Sequence, residues 1–307
     1  MNRASLHPMP SRPHAAPRRH RGVTLIELMV SLVIGLLLIG IASGIYLYSK
    51  RSYNAASETA QMEENGRFAI DVLTKYIQSA GFAMVDRTAP GAILPLEDKI
   101  SGCAYGFVNA SAPTALSDLA CRTATPTGER PSASLFTRFE TDAPLSGSGR
   151  QQGFGCTNAA AASKMLATGT QSYEVRSYFF VSRVNVQTPG GTQSMGQLGC
   201  VSDSTSSNAG VSGTVSLEVQ PLVPGIEQLA IRYMAANGQF VALPTTPTEW
   251  SNVTALELCV LARSIQPAGN DTRRTYTDCY GSSITVAASE SYRILRSTVA
   301  LRNTAAL

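Results

Sequence analysis

The sequence is poor in charged residues and in histidine. Charged residues make up only 15% of the 307 residues, whereas hydrophobic residues make up 44%, which is enough apolar material for a sizeable core. All three histidines lie before residue 22, so the rest of the chain lacks the usual general base for serine or cysteine nucleophiles. The sequence also lacks a P-loop, a dinucleotide-binding fingerprint and a G-x-S-x-G motif. We therefore predict a protein that is not an enzyme and that uses no cofactor.

The basic residues are concentrated at the N-terminal end. Residues 1–22 contain five arginines and no acidic residue. The remaining sequence has 20 basic residues (25 minus 5) and 21 acidic ones, a net charge of −1. This balance argues against a nucleic-acid-binding surface. Because positively charged flanks of a membrane segment stay on the cytoplasmic side, the arginines predict an N-terminus inside the cell.

A long apolar run follows the arginines. Residues 23–48 are almost wholly apolar, and at ~1.5 Å per residue they would span ~39 Å as a helix, enough to cross a bilayer. One interpretation is a cleaved secretory signal with its exit at Ala42-Ser43-Gly44, but such signals have apolar cores of only ~7–15 residues. A plain membrane anchor is the second interpretation. Neither accounts for Glu27, a carboxylate inside the run.

The residues around Glu27 support a third interpretation. The stretch GVTLIEL, from Gly22 to Leu28, resembles the processing site of type IV pilins and pseudopilins. The resemblance implies that a prepilin peptidase cuts between Gly22 and Val23 and methylates the new N-terminus. It also implies a role for Glu27 in assembly, because its carboxylate can pair with the N-terminal amine of a neighbouring subunit. A buried charge is tolerated only when it is paired.

The sequence departs from this family pattern in two ways. Val23 stands where the family usually has Phe or Met, although cleavage is still expected. The leader of 22 residues is also long, and a start at Met9 instead of Met1 would shorten it.

The resemblance implies an α+β, pilin-like fold in which a long N-terminal helix packs on a mainly antiparallel β-sheet head with long loops. We predict four segments in chain order: a leader that is removed (1–22), the transmembrane half of the helix (23–48), its amphipathic half (49–81) and a periplasmic head (82–307). In the amphipathic half, Ala69, Leu73 and Ile77 recur at helical spacing and predict a core-facing stripe. Gly81 is the predicted stop of the helix.

The predicted head has two parts. Residues 82–170 are interpreted as a loop-rich insertion before the sheet, and residues 171–307 as the sheet itself. Apolar and β-branched runs predict strands over 172–187, 214–220, 227–235, 255–264 and 292–303. Clusters of glycine, proline and small polar residues predict loops over 188–199, 202–210 and 266–274.

All six cysteines lie beyond the apolar run. They are Cys103, Cys121, Cys156, Cys200, Cys259 and Cys279. With the N-terminus inside the cell, they face an oxidising compartment, where disulfides form by default. Spacing alone does not choose among the possible pairings, and we predict that nearest neighbours pair: Cys103 with Cys121, Cys156 with Cys200, and Cys259 with Cys279. No metal site is predicted, because the chain has no C-x-x-C and no histidine after residue 22.

Three later stretches resemble the PilW family of minor pilins. They are LVPGIEQL with IRY shortly after it (222–233), VTALELCVLAR (253–263) and YRILRSTVALRN (292–303). The resemblance covers the N-terminal helix and the last third of the chain. We interpret Gly225, Ile226 and Glu227 as elements of the fold and not as binding residues.

The PilW resemblance implies a low-abundance pilin that primes fibre assembly and sits at the tip of the fibre. The implied partners are other minor pilins, the major pilin, the prepilin peptidase, the inner-membrane assembly platform and inner-membrane lipid. The implied location is the inner membrane, crossed once with the head in the periplasm, and afterwards the fibre at the cell surface.

Two other functions stay open on the sequence. One is a minor pseudopilin of type II secretion, of the GspJ kind, which shares the N-terminal logic and much of the head. The other belongs to a different class: a singly anchored periplasmic binding or adhesive protein in which Glu27 is incidental.

Overall fold

The structure is a computed structural model, and it describes residues 22–83, 98–141, 155–157, 162–165, 171–188, 191–203, 217–265, 274–286 and 290–303. Its helices are α1 (Leu25–Ser79), a 3₁₀-helix (Leu116–Leu119) and α2 (Pro247–Ser251). Its strands are β1 (Ile100–Cys103), β2 (Ser134–Thr141), β3 (Ala162–Met165), β4 (Gln171–Thr188), β5 (Gly191–Asp203), β6 (Leu217–Pro224), β7 (Ile226–Met234), β8 (Phe240–Val241), β9 (Ala255–Arg263), β10 (Arg274–Thr277), β11 (Ser283–Val286) and β12 (Tyr292–Ala300).

The chain forms two compact units, whose boundary lies within α1 between Arg51 and Ser52. In the first unit, the described residues of α1 carry an almost uninterrupted series of leucines, isoleucines and valines, and none of them is buried. The second unit contains the rest of α1 and every strand.

In the second unit, α1 buries one face. Met62, Gly66, Ala69, Leu73 and Ile77 lie on this face at three- and four-residue spacing. The predicted stripe is therefore confirmed, and it extends seven residues, about two turns, further towards the N-terminus than predicted.

The end of α1 is held by the C-terminal segment of the chain. Gly81 has φ +76°, a conformation that glycine adopts without strain, and an added Cβ would lie 2.8 Å from the Asn303 carbonyl oxygen. The Asn303 Nδ2 donates to the carbonyl oxygens of Gln78, Ser79 and Ala80 at 3.2–3.4 Å. These bonds satisfy carbonyls that the last turn of a helix leaves without partners. The predicted stop at Gly81 is confirmed.

The strands form antiparallel sheets throughout the described residues. The first sheet has the order β1-β2-β4-β5-β6, with β3 also paired to β4. The second sheet has the order β12-β9-β7-β8, and β10 and β11 form a separate two-stranded sheet. The fold class is therefore α+β, as predicted, although the head contains more than one sheet.

The main core lies between α1 and one face of each of the two larger sheets. Leu73 and Ile77 of α1 share this core with Phe179 of the first sheet and with Leu229 and Leu258 of the second, and all five are fully buried. Tyr76 and Phe179 have ring centroids 4.9 Å apart across the contact between helix and sheet. Apolar burial of this kind is the main favourable contribution to folding.

The other faces of the two sheets are covered locally. Residues 104–122 lie over the first sheet and bury Phe107 and Leu119 against Phe180 and Val201. The β10–β11 hairpin lies over the second sheet and buries Ile284 and Val286 against Leu261 and Tyr292.

The loop predicted over 188–199 is wrong, because β5 occupies Gly191–Asp203. Its residues are small and polar, so local propensity does not indicate a strand, but β4 and β6 supply backbone partners on both sides. Two of its glycines allow close approach: an added Cβ at Gly196 would meet the Ile226 carbonyl oxygen, and one at Gly199 would lie 3.1 Å from the Phe180 ring.

The predicted insertion over 82–170 also needs correction, because it contributes β1, β2 and β3 to the first sheet. The strand predicted over 214–220 lies at Leu217–Pro224 instead. The loop predicted over 202–210 begins inside β5, and its remainder, 204–210, lies outside the described residues. The loop predicted over 266–274 also lies outside them, except for Arg274, the first residue of β10.

Candidate functional site

Gly22, Val23 and Thr24 lie outside any helix or strand, and the chain becomes helical at Leu25. Thr24 caps the helix, because its Oγ1 accepts a hydrogen bond from the Glu27 N–H at 3.3 Å. A Thr-x-x-Glu sequence at a helix start is the capping-box pattern. The Gly22–Val23 bond therefore lies outside α1, in an exposed segment that a peptidase could bind in extended form.

The Glu27 carboxylate lies in the first turn of α1, where the helix dipole favours a negative charge. No hydrogen bond or ion pair to this carboxylate occurs within the described part of the chain. The structure thus brings Gly22, Val23 and Glu27 into one short segment. The partner of the carboxylate stays a prediction.

The first half of α1 presents apolar side chains on every side. Leu25, Leu36 and Ile45 are representative, with exposed fractions of 79%, 61% and 63%. By length and composition α1 could cross a membrane, and within the described residues no second helix could. A signal sequence also satisfies those two criteria, so they indicate an apolar environment and not yet a permanent anchor.

A second group of residues lies where the chain passes from the first sheet to the second. Gly225 joins β6 to β7 with φ +77°, and an added Cβ would lie 2.8 Å from the Arg263 carbonyl oxygen. The Arg263 N–H donates to the Gly225 carbonyl oxygen at 2.7 Å. A residue with a side chain would both strain the backbone and separate these strands. This corner explains the glycine of the LVPGIEQL stretch.

Glu227 follows that corner and is buried, with 2% of its surface exposed. Its carboxylate accepts hydrogen bonds from Arg183 Nη1 at 2.6 Å and from the Gly196 N–H at 2.9 Å. Arg263 Nη1 lies 3.5 Å from Oε1 of Glu227, the oxygen that accepts from Gly196. A carboxylate buried this deeply is stable only with such partners. Glu227 therefore joins β4, β5, β7 and β9.

Arg263 extends this network. Its guanidinium donates to the Ser194 carbonyl oxygen at 3.1 Å, to Gln193 Oε1 at 2.8 Å and to Glu290 Oε1 at 2.7 Å. The Tyr292 hydroxyl donates to the other oxygen of Glu290 at 3.1 Å. Burial raises the pKa of Tyr292, so its hydroxyl remains protonated and able to donate at neutral pH.

The three stretches singled out in the sequence therefore meet in space. The first forms the corner and β7, the second forms β9, and the third forms β12, which pairs with β9 from Tyr292 to Ala300. Glu227 of the first stretch lies 3.5 Å from Arg263 of the second, on the neighbouring strand of the same sheet. Their interpretation as elements of the fold agrees with this geometry.

Disulfides attach covering segments to the sheets. The pairs are Cys103–Cys121, Cys156–Cys200 and Cys259–Cys279. The pairing coincides with the nearest-neighbour prediction. The first ties residues 104–122 to β1, and the third ties the β10–β11 hairpin to β9. No cluster of His, Cys, Asp or Glu suited to a metal ion occurs among the described residues.

Two family models match the chain at different places. Residues 17–43 match the prokaryotic N-terminal methylation motif, and residues 179–303 match type IV pilus-assembly protein W. The chain is a type IV pilin-like protein with a PilW region. The first match contains Gly22, Val23 and Glu27, and the second contains Glu227 and Arg263.

The pilin family implies interaction with other pilus components and prepilin cleavage through the methylation motif. The motif and the apolar helix together indicate membrane anchoring. The matched families are structural pilin components and not enzymes.

One solved structure with a similar chain is a type IV-like pilin from Thermus thermophilus. It is 13% identical, and the similarity covers 82% of this chain and 98% of that one, with a TM-score of 0.35. A TM-score this low carries no argument about function. A search of curated proteins gives no match.

Sequence reasoning missed the buried ionic network of this pilin-like protein. Arg183 and Glu227 are 44 residues apart in the sequence, and Glu227 and Arg263 lie on different strands. One signal could have indicated this network: Glu227 and Arg263 are charged residues inside otherwise apolar strands of the PilW-like stretches.

Proposed function

We propose that this protein is a minor pilin that primes type IV pilus assembly and is incorporated into the fibre, at its tip. The observation that carries the proposal is the presence of both matches in one chain, the methylation motif at the N-terminal end and the PilW region in the head. The proposed mechanism is structural and involves no catalysis: the helix enters a bundle of pilin helices, and the head docks on other heads.

In this proposal the prepilin peptidase cuts between Gly22 and Val23 and removes the leader 1–22. Cleavage leaves a cationic amine at Val23, two residues before α1 begins. The Glu27 carboxylate of a neighbouring subunit neutralises that amine. A lone carboxylate costs roughly 2.5–3.5 kcal/mol at mid-bilayer, and pairing removes part of that cost. The absence of a described partner for Glu27 within its own chain supports this role.

The remaining segments follow from the same proposal. Residues 23–48 span the inner membrane with the N-terminus inside, residues 49–81 continue the helix, and residues 82–307 form the periplasmic head. The proposed partners are other minor pilins, the major pilin, the assembly platform of the inner membrane and its lipid. After assembly the protein is part of the fibre at the cell surface.

A deletion strain tests the proposal. We expect it to lose pili sheared from the cell surface while it secretes exoproteins normally, and a plasmid copy of the gene to restore the pili. Intact pili with lost secretion would instead identify a minor pseudopilin of type II secretion.

The mass of the N-terminal peptide of the protein from the membrane fraction is the complementary measurement. A peptide that begins with methylated Val23 is expected. An N-terminus before residue 22, together with normal pili, would point to a singly anchored periplasmic binding or adhesive protein.

A further inference from the structure

The second sheet has an open groove on the face opposite α1. Its volume is about 480 Å³, which is large enough for an aromatic side chain. We call this surface the groove. The groove is lined by Arg232, Leu243, Glu257, Tyr280 and Arg296 and by the Cys259–Cys279 disulfide.

The groove combines apolar walls with an excess of positive charge. Arg232 donates to Glu257 at 3.1 Å and to the Phe240 carbonyl oxygen at 3.1 Å. Arg296 is 52% exposed and only approaches Glu257, at 3.8 Å, which is too far for a hydrogen bond. Two arginines thus share one carboxylate. The guanidinium of Arg296 therefore keeps N–H donors that a carboxylate of another molecule can accept from.

A surface of opposite charge lies on the exposed face of α1. Phe68 is 53% exposed, and Glu64 and Asp71 flank it on the same helix face, four residues before it and three after it. No hydrogen bond or ion pair of Glu64 or Asp71 occurs within the described ranges. The neighbouring Glu63 pairs with Arg293 and lies 3.9 Å from Arg67. We call Glu64, Phe68 and Asp71 the ridge.

The spacing of charges on the two surfaces is similar. Glu64 and Asp71 are seven residues apart on a helix, so their Cα atoms lie ~10.5 Å apart. The strand register places Arg232 opposite Glu257, and Cys259 opposite Arg296. The two arginines are therefore two strands apart, at ~4.8 Å per strand, and two residues apart along the sheet, which puts their Cα atoms ~12 Å apart. A ridge lying over the groove can bring each carboxylate to a guanidinium, with Phe68 between them.

We propose that the groove binds the ridge of a second copy of this chain. Within one chain the contact cannot form, because the ridge and the groove lie on opposite faces of the head. The contact is heterologous: the ridge of one copy meets the groove of the next and leaves one ridge and one groove unoccupied. The apolar anchor is Phe68, and the two flanking ion pairs set its orientation. This inference goes beyond the pilus role and does not depend on it.

Sedimentation velocity of the full chain in a density-matched detergent, over a concentration series, tests the proposal. The wild-type chain is expected to form dimers and, at higher concentration, longer head-to-tail assemblies. Both should weaken as the salt concentration rises, because salt screens exposed charges. Arg296→Glu is expected to weaken the dimer about fivefold, the effect of turning one exposed ion pair into a repulsion. Phe68→Ala is expected to weaken it at least about tenfold, because it removes the aromatic anchor.

A charge exchange separates this contact from association through the membrane helix. The ridge variant Glu64→Arg/Asp71→Arg is expected to weaken the dimer, and its combination with Arg296→Glu is expected to bind more tightly than either variant alone. Arg302→Glu reverses an exposed charge outside both surfaces and is expected to change nothing. The proposal is overturned if the wild-type chain stays monomeric, if Arg302→Glu weakens the dimer as much as Arg296→Glu, or if the exchange gives no recovery.

Discussion

The two halves of α1 use the same secondary structure in opposite ways. Between Leu25 and Tyr48 the helix is apolar on almost every side and buries no residue, whereas between Ser52 and Ser79 it buries a single face against the sheets. A helix that is apolar on every side needs an apolar solvent or other helices around it. A helix with one apolar stripe can bury that stripe against other segments of its own chain. The comparison teaches that an apolar residue does not by itself predict burial within the chain.

The two glutamates in apolar surroundings show the same contrast. Glu227 is buried in the head and is satisfied by Arg183, Arg263 and a backbone N–H of its own chain. Glu27 lies in the apolar N-terminal half of α1, which the proposed function places in the membrane and which we call the membrane half. Its carboxylate has no partner within the described part of the chain. The buried glutamate of the head is thus paired within its own chain, whereas the Glu27 carboxylate is proposed to pair with another molecule.

Replacing Glu27 is expected to have the largest effect, the loss of surface pili. Both Glu27→Ala and Glu27→Gln are expected to abolish surface pili, because each removes the charge that neutralises a neighbouring N-terminal amine. The protein should stay in the membrane fraction, and the melting temperature of its head should not change. Ser31→Ala, in the same half of the helix, is the matched control and should leave pili at the wild-type level. Wild-type amounts of sheared pili from Glu27→Ala cells would contradict the role of the carboxylate.

Replacing Glu227 tests the pairing inside the head. Glu227→Gln is expected to lower the free energy of unfolding by about 3–5 kcal/mol, because Arg183 loses the carboxylate it pairs with and the buried Arg263 keeps only Glu290. Glu257→Gln removes a carboxylate that pairs with half-exposed arginines and should cost only about 0–1 kcal/mol. Urea denaturation of both variants measures the difference. Equal losses in the two variants would show that the buried network adds nothing beyond a surface pair.

A pair of leucine substitutions compares the two halves of α1 directly. Leu73→Ala is expected to lower the free energy of unfolding of the head by about 2–5 kcal/mol, because the fully buried side chain leaves a cavity. Leu36→Ala, in the membrane half, should change it by less than about 0.5 kcal/mol. Urea titrations followed by tryptophan fluorescence suit this test, because Trp250, the single tryptophan, packs against Tyr233 in the head. A comparable loss in Leu36→Ala would contradict the division at residue 51.

Removing one disulfide should have the smallest effect of the four changes. Cys156→Ser/Cys200→Ser opens a link over 44 residues and is expected to lower the free energy of unfolding of the head by about 2–4 kcal/mol. Insertion of α1 into membranes should be unaffected, since the membrane half contains no cysteine. Thermal unfolding of the variant and of the wild-type chain, both without a reducing agent, measures the loss. An unchanged melting temperature in the variant would show that this bond does not stabilise the head.

Sequence patterns predicted the elements whose side chains follow a clear apolar or β-branched pattern. The helix, its stripe, Gly81 and the strands rich in β-branched and apolar residues were all recognisable. β5 was not, because its glycines, serines and glutamines have no strand preference and are held in place by the two neighbouring strands. The ionic network was also unpredictable, since sequence spacing says nothing of which charges two sheets bring together.

By itself, the sequence determined where the chain becomes apolar, where the helix starts and stops, and which short stretches identify the pilin family. These features depend on local composition and on residues a few positions apart, so they can be read along the chain. Only the tertiary structure decided that β5 is a central strand, that Glu227 is satisfied by Arg183 and Arg263, and that the groove and the ridge lie on opposite faces of the head. Those features depend on backbone and side-chain groups that meet only when distant segments pack, and the free energy of that packing outweighs local propensity.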